Sequence, residues 1–332
     1  MRSICRAAAI LLTTTALAQS QAPAGPSSSL IAVAATQDGA VMLYEAHGWR
    51  LRLLKAIPAG KKPTEMCLAP DKSRLYVSDP PNHGVLAIDL KQQAVVATLT
   101  NAAMKSPDGC VVSPDSKKLY AIDQQANAVF VFSTGNNALL KQLAVGQEPR
   151  RGLFSSDGKR LIISNAHSDT LSVIDPANDM VVNTVKTPGH EPRALAWSPD
   201  GKFLAVSIIE DDSVSFFRAD TLEFEQQVAG AISSQRIVFA PDGKLLFVLG
   251  RFEHLNVIDL RSDGPPPGYR RQITSLPAPR LAWGMTSSPD GAYLYITQTG
   301  PDTGIAVVDT RVMKTVNTVN GPKGQRDILY IP

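Results

Sequence analysis

Five arginines cluster around one position of a repeated sequence unit. Arg150, Arg193 and Arg326 each lie about six residues before the proline of a Pro-Asp-Gly turn, or before the position that corresponds to it. Arg151 and Arg236 occupy the next position. A planar guanidinium binds carboxylates and phosphates through two parallel hydrogen bonds. If the repeats bring these positions together, the five arginines form a binding site for an anionic small molecule.

The same arginines also allow a structural interpretation. Each of them can bond carbonyl groups at a strand end, or pair with a carboxylate such as Glu148, Glu191 or Asp327. In that case the positive charges are already matched within the chain, and no ligand is needed to explain them. The sequence leaves both interpretations open.

Two histidines and one glutamate are candidates for proton transfer. His167, His190 and Glu210 flank Arg193 in the sequence, and imidazole exchanges protons near neutral pH. The histidines also fit solvated loop positions, and Glu210 fits a counter-charge, since a carboxylate beside arginines is usually ionised. No two histidines have the short spacing of a metal motif. No metal site or cofactor is therefore predicted, while haem or metal ligation stays open as an alternative.

A turn phrase close to Ser-Pro-Asp-Gly recurs about every 42 to 48 residues and makes these positions correspond. Proline presets φ at the first turn position, aspartate bonds nearby backbone and glycine accepts positive φ, so each phrase closes a hairpin. Apolar runs rich in β-branched residues follow, as in strands covered on both faces. The phrase begins at Ala69, Ser113, Ser155, Ser198, Ala240 and Ser288.

Four short strands, named a to d in order, complete each repeat, and helical periodicity is not evident. Residues 30–57 supply strands b, c and d without a preceding turn, and residues 324–332 supply a strand a with nothing after it. Joining them makes a seventh unit, and a closed ring removes unpaired sheet edges. The sequence therefore predicts an all-β fold, a seven-bladed β-propeller of four-stranded antiparallel blades, with the C-terminal strand joining the N-terminal blade.

In such a ring the d-to-a and b-to-c loops share one face and surround the central channel, while the Pro-Asp-Gly turns lie on the other face. Ligands favour a concave mouth lined by loops. The arginines and candidate histidines all map to that mouth. Residues 261–268, rich in proline and glycine, are expected to form an extended c-to-d loop on the turn face.

Several segments resemble the YVTN-repeat β-propeller family, whose repeats read like Pro-Asp-Gly-Lys-x-Leu-Tyr-Val followed by a strand like Val-Ser-Val-Ile-Asp. The resemblance covers essentially all of residues 30–332. It implies the propeller fold and a family that includes exported proteins of unassigned role, haem d1-associated propellers, and lactonase and muconate-cyclising relatives. The matching segments are Arg74-Leu75-Tyr76-Val77-Ser78, Lys118-Leu119-Tyr120-Ala121-Ile122 and Thr170-Leu171-Ser172-Val173-Ile174-Asp175.

The lactonase relatives are expected to carry a histidine after the arginine of a Pro-Arg element and a glutamate shortly after strand b. Here Ala194 follows Pro192-Arg193, and Glu210 is displaced by about one residue. The favoured hypothesis is therefore an exported binding protein that recognises an anionic small molecule, or an exported protein partner, at a basic channel mouth. A lactonase-like or cycloisomerase-like enzyme is the second hypothesis, and a purely structural or protein-interaction propeller is the third.

The first 19 residues have the pattern of a secretory signal peptide, with Arg2 and Arg6 before a short apolar run. Residues 20–29 fit a flexible lead-in, and residues 30–332 form one propeller. We expect a periplasmic or secreted monomer without membrane insertion. The formal net charge is +3, and removal of the two arginines leaves it near neutral, so no nucleic-acid partner is expected.

Two cysteines, Cys67 and Cys110, remain after the signal peptide. Export would place them in an oxidising compartment, where disulfides form. They lie about three and four residues before their turn prolines, and strand alternation then directs them to different faces of their sheets. We therefore expect two buried free thiols, with a disulfide as the alternative.

Overall fold

The computed structural model describes residues 29–252, 254–261, 270–299 and 303–332. In these residues 28 strands form seven four-stranded antiparallel sheets, and the helical segments are the short 3-10 turns Pro80–Asn82 and Ala166–Ser168. The predicted signal peptide, nearly all of the lead-in and most of the predicted c-to-d loop lie outside the described residues. No helix in the described part of the chain is long and apolar enough to cross a bilayer.

The seven sheets are numbered here as blades in chain order. Blade 1 contains β1 (Ser29–Ala35), β2 (Ala40–His47), β3 (Arg50–Pro58) and β28 (Gln325–Ile331). Blade 2 contains β4 (Met66–Leu68), β5 (Arg74–Asp79), β6 (Gly84–Asp89) and β7 (Ala94–Thr100). Blade 3 contains β8 (Pro107–Val112), β9 (Lys118–Asp123), β10 (Ala128–Ser133) and β11 (Leu139–Ala144). Blade 4 contains β12 (Pro149–Phe154), β13 (Leu161–Asn165), β14 (Thr170–Asp175) and β15 (Met180–Lys186).

The remaining three blades follow the same order. Blade 5 contains β16 (Pro192–Trp197), β17 (Phe203–Ile208), β18 (Ser213–Arg218) and β19 (Phe224–Ala229). Blade 6 contains β20 (Ser234–Phe239), β21 (Leu245–Gly250), β22 (His254–Asp259) and β23 (Arg271–Pro277). Blade 7 contains β24 (Ala282–Ser287), β25 (Tyr293–Gln298), β26 (Gly304–Asp309) and β27 (Lys314–Asn320).

The ring closes through the two ends of the described chain. β28 pairs antiparallel with β1, with Leu30 opposite Ile331 and Ala32 opposite Leu329, so the last strand becomes the innermost strand of blade 1. The predicted seven-bladed propeller and its closure by the C-terminal strand are confirmed. Joining the ends in one sheet leaves no blade incomplete and removes two open edges.

The repeated turn phrase is explained by hydrogen bonds within each turn. In blade 5 the Ser198 hydroxyl donates to Asp200 (2.6 Å), the Lys202 N–H donates to the same carboxylate (3.1 Å), and Gly201 has a φ of +70°. The side-chain contacts tie the turn together, and glycine accepts the left-handed backbone without strain.

Seven apolar clusters hold the ring together, one between each pair of neighbouring blades. Successive side chains of a strand point to opposite sheet faces, so one strand serves two clusters. In β5, for example, Tyr76 packs toward blade 3 and Val77 toward blade 1. Burial of apolar surface between blades is the main stabilising term, and it leaves the channel mouth free to carry charge.

Cys67 and Cys110 form a disulfide with a Cα–Cα distance of 5.8 Å, so the expectation of free thiols is wrong. The two residues do point to different faces of their own sheets, as predicted. Neighbouring blades, however, pack the front face of one sheet against the back face of the next. Cys67 therefore faces blade 3 and Cys110 faces blade 2, both within the same apolar cluster.

Candidate functional site

Hydrogen bonds from backbone N–H groups to aspartate side chains tie the d-to-a loops to the b-to-c loops at one end of the ring. The Asp79 carboxylate, at the end of β5, accepts hydrogen bonds from the N–H groups of Lys61 (3.0 Å) and Lys62 (2.9 Å). Asp123 does the same in blade 3 for the N–H groups of Lys105 (2.7 Å) and Ser106 (3.0 Å). Each strand a therefore enters the channel from a loop whose position is fixed.

The strands a contact one another around the channel. The first aligned position of these strands forms a ring of seven residues that we call the outer layer, and the position that follows it forms a second ring that we call the inner layer. The outer layer contains Arg326, Thr64, Asp108, Arg150, Arg193, Gln235 and Trp283 in blade order. The inner layer contains Asp327, Glu65, Gly109, Arg151, Ala194, Arg236 and Gly284.

The inner layer is a neutral set of ion pairs across the channel. The Glu65 carboxylate pairs with Arg151 and accepts a hydrogen bond from Arg236 (2.7 Å), which also donates to Asp327 (2.7 Å). These two carboxylates are only 4% and 5% exposed. Glu65 of blade 2 pairs with arginines of blades 4 and 6, so the network joins these three blades across the channel. These four side chains help to line a cavity of about 220 Å³. Met66 and other residues of the strands a form the rest of its wall.

Arg193 of the outer layer lacks such a partner. Its side chain is half-buried, its Nε atom is buried without a hydrogen-bond partner, and its guanidinium forms no ion pair within the described residues. Burial, followed by repulsion from Arg150 and Arg326, lowers the pKa of Arg193 to about 10. The guanidinium stays protonated at neutral pH but in an unfavourable environment. A bound anion would offset both causes.

The other outer-layer arginines are partly compensated. Glu148 pairs with Arg150, and the Asp108 carboxylate lies 3.5 Å from Arg326 and accepts a hydrogen bond from Gln124 (2.6 Å). The structure therefore brings all five predicted arginines to the channel but separates them. Arg151 and Arg236 are paired in the inner layer, as the structural interpretation allows. The ligand-binding role of all five stays a prediction.

Two residues of the mouth were not among the predicted site residues. The Trp283 indole has the guanidinium carbons of Arg326, Arg251 and Arg193 at 4.1, 4.8 and 5.6 Å from its ring centroid. Trp283 occupies the same strand position as the arginines, so the repeat alignment contained its signal. Arg251 follows β21 in the b-to-c loop of blade 6, which corresponds in the repeat to the loop of blade 4 that holds His167.

His167 is connected to the arginines through a carboxylate. Its Nε2 atom lies 2.6 Å from the Glu148 carboxylate and 3.7 Å from that of Glu191. Since Glu148 also pairs with Arg150, one carboxylate joins the outer layer to an imidazole. The His167 side chain is 57% exposed, so water reaches it. This arrangement resembles the base and orienting carboxylate of many hydrolytic sites.

The other two proton-transfer candidates lie farther out on the rim. The Nδ1 atom of His190 lies 2.8 Å from the Asp169 carboxylate, and this hydrogen bond and the charge of Asp169 raise the pKa of His190 above its usual value. A raised pKa leaves less of the imidazole in its neutral form, which is the form that can act as a base. Glu210 is exposed and has no ion pair among the described residues. In the same residues, no group of three or more His, Cys, Asp or Glu side chains is placed to hold a metal ion.

The backbone next to the site is strained at two carboxylates. Glu148 and Glu191, each two residues before an outer-layer arginine, have φ values of +51° and +58°. In blade 1 the corresponding residue is Gly324, with a φ of +68°. A β-carbon in this left-handed region costs about 1 kcal/mol or more, which glycine avoids. Ser233 and Leu281 occupy the same left-handed position in blades 6 and 7, with φ values of +52° and +56°, so the conformation belongs to the d-to-a loop of these blades rather than to the glutamates alone.

Residues 155–229 match the family model described as "Lactonase, 7-bladed beta-propeller". The matched segment includes His167, His190, Arg193 and Glu210, although it spans less than half of the chain. A search of curated proteins finds no match.

Solved structures share the fold at low sequence identity. A putative 6-phosphogluconolactonase from Bacteroides fragilis is 16% identical over 94% of this chain and 100% of its own, with a TM-score of 0.79. The periplasmic gluconolactonase of Pseudomonas aeruginosa is 17% identical over 92% of this chain and 99% of its own, with a TM-score of 0.75. Hydrazine synthase of Kuenenia stuttgartiensis is 22% identical over 81% of this chain and 86% of its own, with a TM-score of 0.66. At these identities the likeness shows a shared propeller fold.

Proposed function

We propose that this protein is an exported hydrolase of lactones that carry an anionic group. The observation that carries the proposal is the chain of contacts from Arg150 through Glu148 to His167 at the channel mouth. It puts an anion-binding group and a base on one rim. The lactonase-family match over residues 155–229 and the lactonases among the similar folds support the same reaction class.

In this mechanism the guanidiniums of Arg150 and Arg193 hold the anionic group of the substrate. Glu148 accepts the Nε2–H of His167, which leaves Nδ1 as the basic nitrogen. His167 takes a proton from a water molecule, whose oxygen bonds to the lactone carbonyl carbon. The ring C–O bond then breaks, and the proton passes from His167 to the departing oxygen, giving a hydroxy acid. Glu148 stabilises the imidazolium between the two transfers.

Binding without turnover is the second candidate function. The side chains of His167 and His190 are 57% and 66% exposed, whereas closed hydrolytic sites usually exclude water around the base. Ala194 is buried in the cluster between blades 5 and 6, at the position where the lactonase resemblance leads us to expect a histidine. A binding protein for an anionic small molecule, or for an exported protein partner, uses the same arginines without a base.

A lactone-hydrolysis assay separates the two candidates. Lactones bearing a carboxylate or phosphate are supplied to the purified protein, and acid release is followed by pH-stat titration. His167→Asn should lower kcat by about 10²- to 10⁴-fold, the usual contribution of a general base. His83→Asn is the matched control, because His83 lies in the corresponding loop of blade 2 and contacts the Lys105 carbonyl (2.6 Å) rather than a carboxylate. Equal rates for the two variants would exclude His167 as the base.

Export is part of the same proposal. The disulfide between Cys67 and Cys110 is typical of oxidising compartments, and one similar fold is a periplasmic protein. We expect a periplasmic or secreted monomer without membrane insertion. Fractionation of cells that express the full chain, with N-terminal sequencing of the mature protein, tests both the location and the predicted cleavage after residue 19.

A further inference from the structure

Two arginines at the channel mouth carry charges that no carboxylate of the described residues offsets by an ion pair. The Nε atoms of Arg193 and Arg251 are both buried without a hydrogen-bond partner. Arg150 pairs with Glu148, and Arg326 lies 3.5 Å from Asp108, although the Nε atom of Arg326 is also buried without a hydrogen-bond partner. Among the described residues, Arg193 and Arg251 are therefore the two partly buried guanidiniums of the mouth without an ion pair. A guanidinium whose Nε atom is buried without a partner is unfavourable, and a ligand that accepts its hydrogen bonds would reduce that cost.

Trp283 holds both of these arginines beside one ring. The guanidinium carbon of Arg251 lies 4.8 Å, and that of Arg193 5.6 Å, from the centroid of the indole. The negative face of an aromatic ring attracts a cation, and a guanidinium stacks on it. The indole thus offsets part of the repulsion between two like charges, and both guanidinium carbons lie within 5.6 Å of its centroid. Their remaining hydrogen-bond donors stay available.

We propose that Arg193 and Arg251 together bind a small molecule with two negative charges, and that Trp283 is the residue that positions both guanidiniums. The inference rests on the proposed function in taking the mouth as the substrate site, and it adds the charge of the ligand. A monoanion leaves one guanidinium uncompensated, whereas a dianion pairs with each. Arg251 is then a specificity-determining residue, because it distinguishes dianions from monoanions.

Calorimetric titration with simple anions tests this without a substrate. At pH 8, succinate and inorganic phosphate are the dianionic probes, and propionate is the monoanion. We expect succinate and phosphate to bind at least tenfold more tightly than propionate. Arg251→Gln should reduce the affinity for each dianion by about 10- to 100-fold, the usual range for a charged hydrogen bond, and change the affinity for propionate less than about twofold. Arg251→Lys should restore part of the loss, which also shows that the loop tolerates replacement.

Arg50→Gln is the matched control, because Arg50 lies 4.6 Å from the ring of Trp49 in a similar pair outside the mouth. It should leave all affinities unchanged. The inference is overturned if no probe binds the wild-type protein, if dianions and propionate bind equally, or if Arg251→Gln weakens both classes alike. Dianion binding without lactone turnover would remove only the proposed hydrolysis. Turnover that depends on His167 but not on Arg251, with no preference for dianions, would remove only this inference.

Discussion

Reduction of the Cys67–Cys110 disulfide should lower the stability of the propeller by an amount that follows from its position. The bridge closes a loop with a sequence separation of 43 residues. In the chain-entropy treatment a crosslink of that length restricts the unfolded chain by about 4 kcal/mol. An unfolding entropy of ~2.1 cal/mol/K per residue over roughly 300 residues converts this into a fall in Tm of about 6 °C.

Calorimetry with and without a phosphine reductant measures this shift, and mass spectrometry after alkylation shows whether both thiols are free. The Cys67→Ala/Cys110→Ala variant should melt below the oxidised protein and should not respond to the reductant. Blades 2 and 3 still share an apolar cluster that includes Tyr76 and Leu119, so the ring should stay folded without the bridge. A Tm change below about 1 °C, with both thiols shown to be free, would refute the entropy argument.

Three further predictions concern the channel mouth and its rim. Arg193→Met removes a charge that burial and two arginines disfavour, so thermal scanning should show an unchanged or higher Tm and no further stabilisation by added phosphate. Glu191→Gly should be about 1 kcal/mol more stable than Glu191→Ala in denaturant titration, because only glycine avoids the cost of a positive φ. The ion pair of His190 with Asp169 should be present from pH 3.8, the ordinary pKa of aspartate, to pH 6.5, the ordinary pKa of histidine, and should be lost as pH rises through the raised pKa of His190. The Asp169→Asn substitution should move the pKa of His190 back toward its ordinary value, and NMR titration measures this change.

The ring could be predicted from the sequence because its determinants are local and repeated. Each turn phrase contains its own hydrogen bonds, such as that from Ser198 to Asp200, and the two incomplete ends match each other. The disulfide could not be predicted by considering each sheet alone. Side chains that point to opposite faces are far apart when they belong to one sheet. Cys67 and Cys110 belong to neighbouring blades, and there the two opposite faces pack against each other.

The positions of the five arginines at the channel could be predicted from the sequence, but the carboxylates that pair with them could not. Alignment of the repeats places Arg151 and Arg236 at the channel, yet their shared partner Glu65 comes from a blade that neighbours neither of theirs. Pairing across a channel depends on side-chain reach and on the small residues Gly109 and Gly284 between the charged positions, which repeat alignment does not measure. Alignment of the strands a could not identify Arg251, because this residue belongs to a b-to-c loop.

The difference between the two layers is the strongest argument that the mouth binds a ligand. The inner layer matches its charges within the chain, so folding alone accounts for it. The ring itself is held by the apolar clusters between blades, and an uncharged side chain at Arg193 would serve that packing at least as well. Buried guanidinium atoms without partners are unfavourable for folding. Their concentration around Trp283 therefore supports the proposed binding of an anion.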